Sequence, residues 1–269
     1  MNILLTNDDG LESPGILLLA SALREKGHRV AVLAPDRDRS GVSHSISFLG
    51  EPLVVKRRGE DTWSCSGLPV DCVVTAMLGG IPYKPDLILS GINRGSNLGT
   101  DLLYSGTAAA ARQGSLFGIP SIALSLADDR NGDASHGDDS DGDASHGDAS
   151  DVTTFYWDMA VAFSLSHLDE LAARWKTGTF INVNIPNNPR GPAGLAPAFP
   201  SQRLYHDSLT MMEAPGGDRY CFYSAGEVGV VPQAGSDRDV VFHNMAAVSS
   251  IWVHPVSGDP RDPAARIWD

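Results

Sequence analysis

The chain has 269 residues, of which 42% are hydrophobic and 20% charged, and its 33 acidic against 20 basic side chains leave a formal net charge of −13. Such a length can bury a full core, and no apolar run approaches the ~18 residues that would span a bilayer, so a membrane partner is not expected. Nine Asp and one Arg in residues 128–151 carry −8 of that charge and leave −5 elsewhere, with no basic stripe of the kind that binds a nucleic-acid duplex. The three cysteines (Cys65, Cys72, Cys221) are odd in number and lack a Cys-x-x-Cys pair, which argues against a disulfide framework or a structural zinc site. The first residues lack a basic region followed by an apolar stretch, so the expected location is cytoplasmic.

Ile3-Leu4-Leu5 reads as a short buried strand, broken by Asn7-Asp8-Asp9-Gly10. Ser13-Pro14-Gly15 leads into a helix from Ile16 to Lys26, with Pro14 in its first turn and Gly27 as its stop. Val30 to Ala34 is a second strand. Strand, helix and strand in this spacing make a βαβ unit, and so an open, mostly parallel α/β sheet. A polar loop, Pro35 to Gly41, follows. Residues 51–65 pattern as a hairpin and Val70 to Leu78 as a helix ending at Gly79-Gly80. Asp86 to Ser90 is a strand that runs into a Gly- and Asn-rich loop through Asn93 and Asn97. Ser105-Gly106-Thr107 opens an Ala-rich helix, and Ser121 to Leu126 is a further strand.

Residues 128–151 are of low complexity: Gly132 to Asp138 recurs as Gly142 to Asp148, and no apolar side chain is larger than Ala. This reads as a disordered acidic insertion, because it cannot repay its ordering entropy. A helix is expected at about 152–175 and a strand from Thr179 to Ile185. Beyond that the composition shifts to Gly, Pro and aromatic residues. Ser201 to His206, Tyr220 to Tyr223, Asp239 to His243 and Val248 to His254 are expected as strands. The expected plan is a Rossmann-like domain over 1–185, carrying the insertion, and a β-rich C-terminal extension over 186–269.

Open parallel sheets bind ligands off the carboxyl ends of their strands. Four polar clusters fall at such ends: Asp8 and Asp9, the loop through Ser40, the loop through Asn93, and the helix start at Ser105. Paired carboxylates with neutral oxygens from Ser and Asn suit a hard cation such as Mg²⁺ or Mn²⁺. A solvated turn ahead of a helix also accounts for Asp8-Asp9-Gly10. Ser105-Gly106-Thr107 suits either an anion cradle or an ordinary Ser N-cap. Together a metal pair and an anion cradle suit hydrolysis of a phosphate ester. Arg39 and Arg94 offer further positive charge, and His44 a proton carrier, though each also fits a bland loop role.

Thr6 to Gly10, Ala34 to Ser40, Ser90 to Gly99 and Tyr104 to Ala110 stand in the order and spacing of the SurE family, which the chain resembles over residues 1–126. The resemblance implies a three-layer Rossmann-like α/β fold with C-terminal β extensions. It implies a metal-dependent phosphatase of nucleoside 5′-monophosphates, and of 3′-monophosphates as a further substrate. One divalent ion per subunit, Mg²⁺ or Mn²⁺, would be bound by Asp8, Asp9, Ser40 and Asn93, with Asp8 and Asp9 catalytic. Asn97, Ser105, Gly106 and Thr107 would meet the phosphate. A homodimer or homotetramer built by exchanged arms is implied as well.

Two readings without turnover compete: a metal-dependent nucleotide-binding protein, and a receiver-like signalling domain, which also sets paired acids after its first strand. The receiver plan needs a phosphoacceptor Asp at the end of a central strand and a Lys after a later one. Here Asp86 begins its strand and no Lys follows Leu126-Ala127.

Overall fold

The computed structural model describes residues 1–128, 154–224 and 228–254. Nearly all of the acidic repeat and the expectation attached to it lie outside the described residues. A nine-stranded sheet runs through the molecule in the order β3-β4-β2-β1-β5-β6-β7-β13-β8. Its first strands are β1 (Asn2–Thr6), β2 (Arg29–Pro35), β3 (Val55–Gly59), β4 (Thr62–Cys65) and β5 (Leu87–Arg94). They are followed by β6 (Ser121–Ala127), β7 (Thr179–Pro186), β8 (Leu195–Pro197) and β13 (Ala246–Trp252). Strands β2, β1, β5, β6 and β7 are mutually parallel.

These central strands read as unbroken apolar runs because both their faces are covered. Ile3 and Leu5 of β1, with Leu87 and Leu89 of β5, pack on α1 (Pro14–Glu25), α4 (Trp157–Ser166) and α5 (Leu168–Arg174). Leu4 and Ile88 point the other way, to α2 (Pro69–Thr75) and α3 (Gly106–Leu116). The result is a three-layer α/β/α domain of Rossmann type, as the sequence suggests. Helix α1 follows the sequence signals, with Pro14 at its first turn and Gly27, at φ 82°, just past its end. The helix expected at 152–175 is two helices, α4 and α5. The acidic Asp169 and Glu170 in the first turn of α5 favour a fresh start there.

The C-terminal chain departs from expectation in two places. The division expected at residue 185 falls inside the sheet. Strand β13, from beyond it, pairs antiparallel with β7 from Thr179 to Asn184, and β8 pairs with β13 in turn. Residues Asp239 to His243, expected as a strand, belong to helix α6 (Asp237–Phe242). Ser236 caps that helix, its Oγ accepting from the Asp239 amide at 3.3 Å, and Asp237 and Asp239 occupy the first turn. The remaining strands pair outside the main sheet: β9 (Arg203–Tyr205) with β12 (Val228–Val230), and β10 (Ser208–Glu213) with β11 (Arg219–Ser224).

Strand β5 carries the irregularity that matters for the site. Its register against β6 shifts between Ser90 and Asn93. Gly91 there has φ 128°, and a Cβ on it would overlap the Leu124 carbonyl oxygen of β6. Only glycine fits both conditions. The substitution Gly91→Ala is expected to cost on the order of 3 kcal/mol of stability in urea unfolding. A loss below about 1 kcal/mol would show that β5 and β6 can part without penalty.

Candidate active site

Strand β1 leads through α1 to β2 on one side, while β5 continues the sheet on the other. The chain therefore reverses direction between β1 and β5, at the switch point where open α/β sheets form their ligand crevice. Asp8 and Asp9 follow β1, and Asn93 sits near the end of β5. Helix α3 points its N-terminus at the same place.

Asp8 is buried, with 4% of its surface exposed. Its Oδ2 accepts from the Thr107 amide at 3.0 Å, and its Oδ1 accepts a short hydrogen bond from the Thr107 hydroxyl. The same hydroxyl oxygen lies 3.3 Å from Asn93 Oδ1. Asp9 Oδ2 accepts from the Arg94 amide at 3.1 Å. Asn93 Nδ2 donates to the Gly95 carbonyl at 3.0 Å, which leaves its Oδ1 on the side of the Thr107 hydroxyl. Gly106 makes the close approach possible: a Cβ there would lie 2.9 Å from both Cβ and Oδ2 of Asp8.

Burial and the neighbouring Asp8 carboxylate push Asp9 up to about 7. Asp8 is also raised by burial, against the lowering effect of the Thr107 hydrogen bonds. No Lys, Arg or His side chain forms an ion pair with either carboxylate among the described residues, although the Arg94 guanidinium weakly favours the charged form of Asp9. Arg39 is committed elsewhere. Its guanidinium donates to the Ser66 carbonyl at 2.8 Å and lies 3.8 Å from Asp36, while its amide donates to the Asp8 carbonyl.

A cation fits this donor set. Two adjacent carboxylates and an amide oxygen converge at one strand end, and their mutual repulsion lacks a basic side chain to offset it. Among the described residues no three His, Cys, Asp or Glu side chains gather to hold a metal, so a site here would rest on two carboxylates and neutral oxygens. Ser40 is brought to the edge of the cluster by the bond from the adjacent Arg39 amide to Asp8. It is exposed, and its hydroxyl and amide both donate to Asp38 Oδ1, at 2.6 and 2.7 Å.

The other predicted residues lie at the start of α3 and in the loop after β5. Ser105 caps α3, its Oγ accepting from the Ala108 amide at 3.0 Å, and its O–H proton has no acceptor among the described residues. The Gly106 amide is the one N–H of the first turn without a protein acceptor among the described residues. Asn97 is buried, and its Nδ2 donates to Ser125 Oγ at 2.8 Å. His44 is turned away: its Nε2 meets Gln113 Oε1 at 3.0 Å, and burial lowers its pKa.

Sequence reasoning missed the residues that fix these loops. The Asn97 amide donates to Asn184 Oδ1 at 2.8 Å, and its carbonyl accepts from Asn182 and Asn184, each at 3.0 Å. Both asparagines sit two apart in the wholly buried β7, a signal that alternation alone could have raised. Asp237, fully buried, accepts from the amides of Gly99 at 2.7 Å and Ser201 at 2.9 Å. Asp71, also buried, holds the segment after Ser40 by accepting from Ser47 N at 3.0 Å and Ser47 Oγ at 2.5 Å.

A doubly wound α/β sheet with a hard-oxygen cluster and a helix N-terminus at its switch point defines a protein of the Rossmann-like ligand-binding class. Within that class the chain belongs to the Survival protein SurE family, whose model matches residues 3–206. It is similar to the 5′-nucleotidase SurE of Stenotrophomonas maltophilia, 50% identical over 136 residues, or 51% of this chain and 52% of that protein. The 5′-nucleotidase SurE of Xanthomonas campestris pv. campestris is 48% identical over the same extent. These matches span about half the length of the curated relatives. The crystal structure of SurE protein from Aquifex aeolicus matches over 94% of each chain, with a TM-score of 0.73 and 32% identity.

The raised Asp9 carboxyl sets a pH dependence for the metal-free protein. A carboxyl held above its ordinary value binds its proton more tightly folded than unfolded. Its contribution to stability is therefore full below about pH 4 and is lost as pH rises through about 7. In EDTA the melting temperature is expected to fall between pH 5 and 8, and Asp9→Asn is expected to flatten that fall. An equal fall in the variant would place the effect on other groups.

Proposed function

We propose that the chain is a metal-dependent phosphomonoesterase that hydrolyses nucleoside 5′-monophosphates, with 3′-monophosphates as further substrates. The observation that carries this reading is the convergence of Asp8, Asp9 and Asn93 with the unclaimed Gly106 amide at one crevice. The printed activity of the relatives, 5′-nucleotidase, supports the substrate class.

Asp8, Asp9, Asn93 and Ser40 would hold one Mg²⁺ or Mn²⁺ ion per subunit, which when bound supplies Lewis-acid polarisation of a phosphoryl oxygen and of water. Ser40 can take part through its remaining oxygen lone pairs while its hydroxyl keeps donating to Asp38. The Gly106 amide, the Ser105 hydroxyl and the Asn97 side-chain amide bind and orient the phosphoryl oxygens and stabilise their charge. Asp8, with both carboxylate oxygens engaged by Thr107, is held rigid. Asp9 has no hydrogen bond on its Oδ1 among the described residues, and that oxygen would orient the attacking water and accept its proton.

The test is phosphate release from a panel of nucleoside monophosphates with Mg²⁺, with Mn²⁺ and after EDTA. Metal-dependent release, halted by EDTA, is expected, and Asp9→Asn is expected to lower kcat by at least about 100-fold while the fold persists. Tight Mn²⁺ binding with no release from any substrate would favour the nucleotide-binding reading without turnover.

A homodimer or homotetramer is part of the same proposal. Strands β10 and β11 form a hairpin exposed along its whole length, with Leu209, Met211, Met212, Tyr220, Phe222 and Tyr223 facing solvent. An apolar arm of this kind is rarely left uncovered in a monomer. Light scattering is expected to give at least a dimer mass, and the double substitution Met211→Lys with Phe222→Lys is expected to lower it. A monomeric wild type would rule the assembly out.

A further inference from the structure

We infer that the ring of Tyr104, one residue before Ser105, is the surface on which the nucleobase of the substrate stacks. The inference rests on the reading of the site just given and adds to it a place for the base.

Asp101 ties this ring to the phosphate contacts. It lies in the 3₁₀ turn Gly99–Leu103 that leads into α3. Its carbonyl accepts from the Tyr104 amide at 2.9 Å and from the Ser105 amide at 3.0 Å, so the ring and the helix cap hang from one oxygen. Its carboxylate pairs with the Arg203 guanidinium and accepts a short hydrogen bond from the Tyr205 hydroxyl. The loop beyond Ser40 holds the same turn from its own side. The Ser43 amide donates to the Tyr104 carbonyl at 2.8 Å, and the Ser43 hydroxyl to the Leu103 carbonyl at 2.6 Å. The backbone of Tyr104 is therefore fixed, while 56% of the residue stays exposed. Tyr205 meets its ring edge-on, with centres 6.3 Å apart and planes at 83°. A perpendicular neighbour covers at most one flat face of Tyr104 and leaves the other to Tyr104's next partner. A Tyr has only two χ angles to immobilise, so stacking on it costs little side-chain entropy. Phe155, the aromatic ring beside Arg94, is already engaged: it stacks on Trp157 at 5.4 Å and carries the Arg94 guanidinium 5.2 Å from its centre. Every base has a π-face, so Tyr104 would favour nucleotides over sugar phosphates rather than one base over another.

The test compares two esters at saturating Mn²⁺: adenosine 5′-monophosphate, and ribose 5-phosphate, which keeps the ester and lacks the base. Tyr104→Ala is expected to raise KM for the nucleotide about tenfold or more and to leave kcat/KM for ribose 5-phosphate near its wild-type value. Tyr104→Phe keeps the ring and is expected to restore the KM for the nucleotide. An equal loss on both esters would make Tyr104 a support for the turn, and no loss on either would place the base elsewhere; both results overturn the inference. If Tyr104→Ala does not fold, as judged by its melting curve, Tyr104→Leu keeps apolar bulk without a flat ring and decides in the same way. A wild type that hydrolyses both esters with equal kcat/KM overturns the base subsite and leaves the phosphatase reading standing. A wild type that binds the nucleotide but releases no phosphate defeats the enzymatic reading alone. Dissociation constants of the two esters, from calorimetry, then replace KM and decide the role of Tyr104. A wild type that neither binds nor hydrolyses the nucleotide overturns both.

Discussion

Two adjacent carboxylates at the end of β1, with no ion-pair partner among the described residues, are the constraint on which the rest of the structure depends. Burial and mutual repulsion oppose their ionisation together, and among the described residues backbone amides, the Thr107 hydroxyl and the weak pull of the Arg94 guanidinium act against that. A basic side chain would settle the charge permanently. Its absence among the described residues leaves a demand for positive charge that an exchangeable cation can meet. Catalysis of phosphoryl transfer rests mainly on positioning and on charge stabilisation, so a site held this way suits that chemistry.

The sheet places these groups without effort. Its reversal between β1 and β5 opens the crevice, and the register shift at Gly91 aims Asn93 into it. Helix α3 packs its alanines on the sheet, with Ala108 and Ala111 buried against Ala123 and Phe180. That packing fixes the position of the helix start, and hence of Gly106 and Thr107, relative to Asp8. The small side chains allow the helix to lie close.

The second half of the chain serves the first. Asn182 and Asn184 of β7 grip the backbone of Asn97, and Asp237 of α6 grips that of Gly99. Each of these is a buried polar side chain that hydrogen-bonds a backbone group of the loop after β5. Such a group is costly unless satisfied, so the loop and its anchors stabilise one another. Loop order at the site therefore depends on residues far away in sequence, some of them beyond the stretch that the family model matches.

The sequence by itself determined the Rossmann-like α/β core, because apolar runs punctuated by Pro14, Gly27 and Gly79-Gly80 leave few other topologies for a βαβ start. It also named the polar clusters at the strand ends, since Asp8-Asp9-Gly10 and Ser105-Gly106-Thr107 are local patterns. Only the tertiary structure decided which donor meets which acceptor. It turned both donors of Thr107 to Asp8, sent His44 to Gln113, and drew the Ser40 hydroxyl to Asp38. It also made a helix of Asp237–Phe242 and joined β13 to the main sheet. The reason is physical: periodicity records which faces are buried, whereas a capping bond or a pairing between distant strands depends on groups that the chain brings together only when it folds.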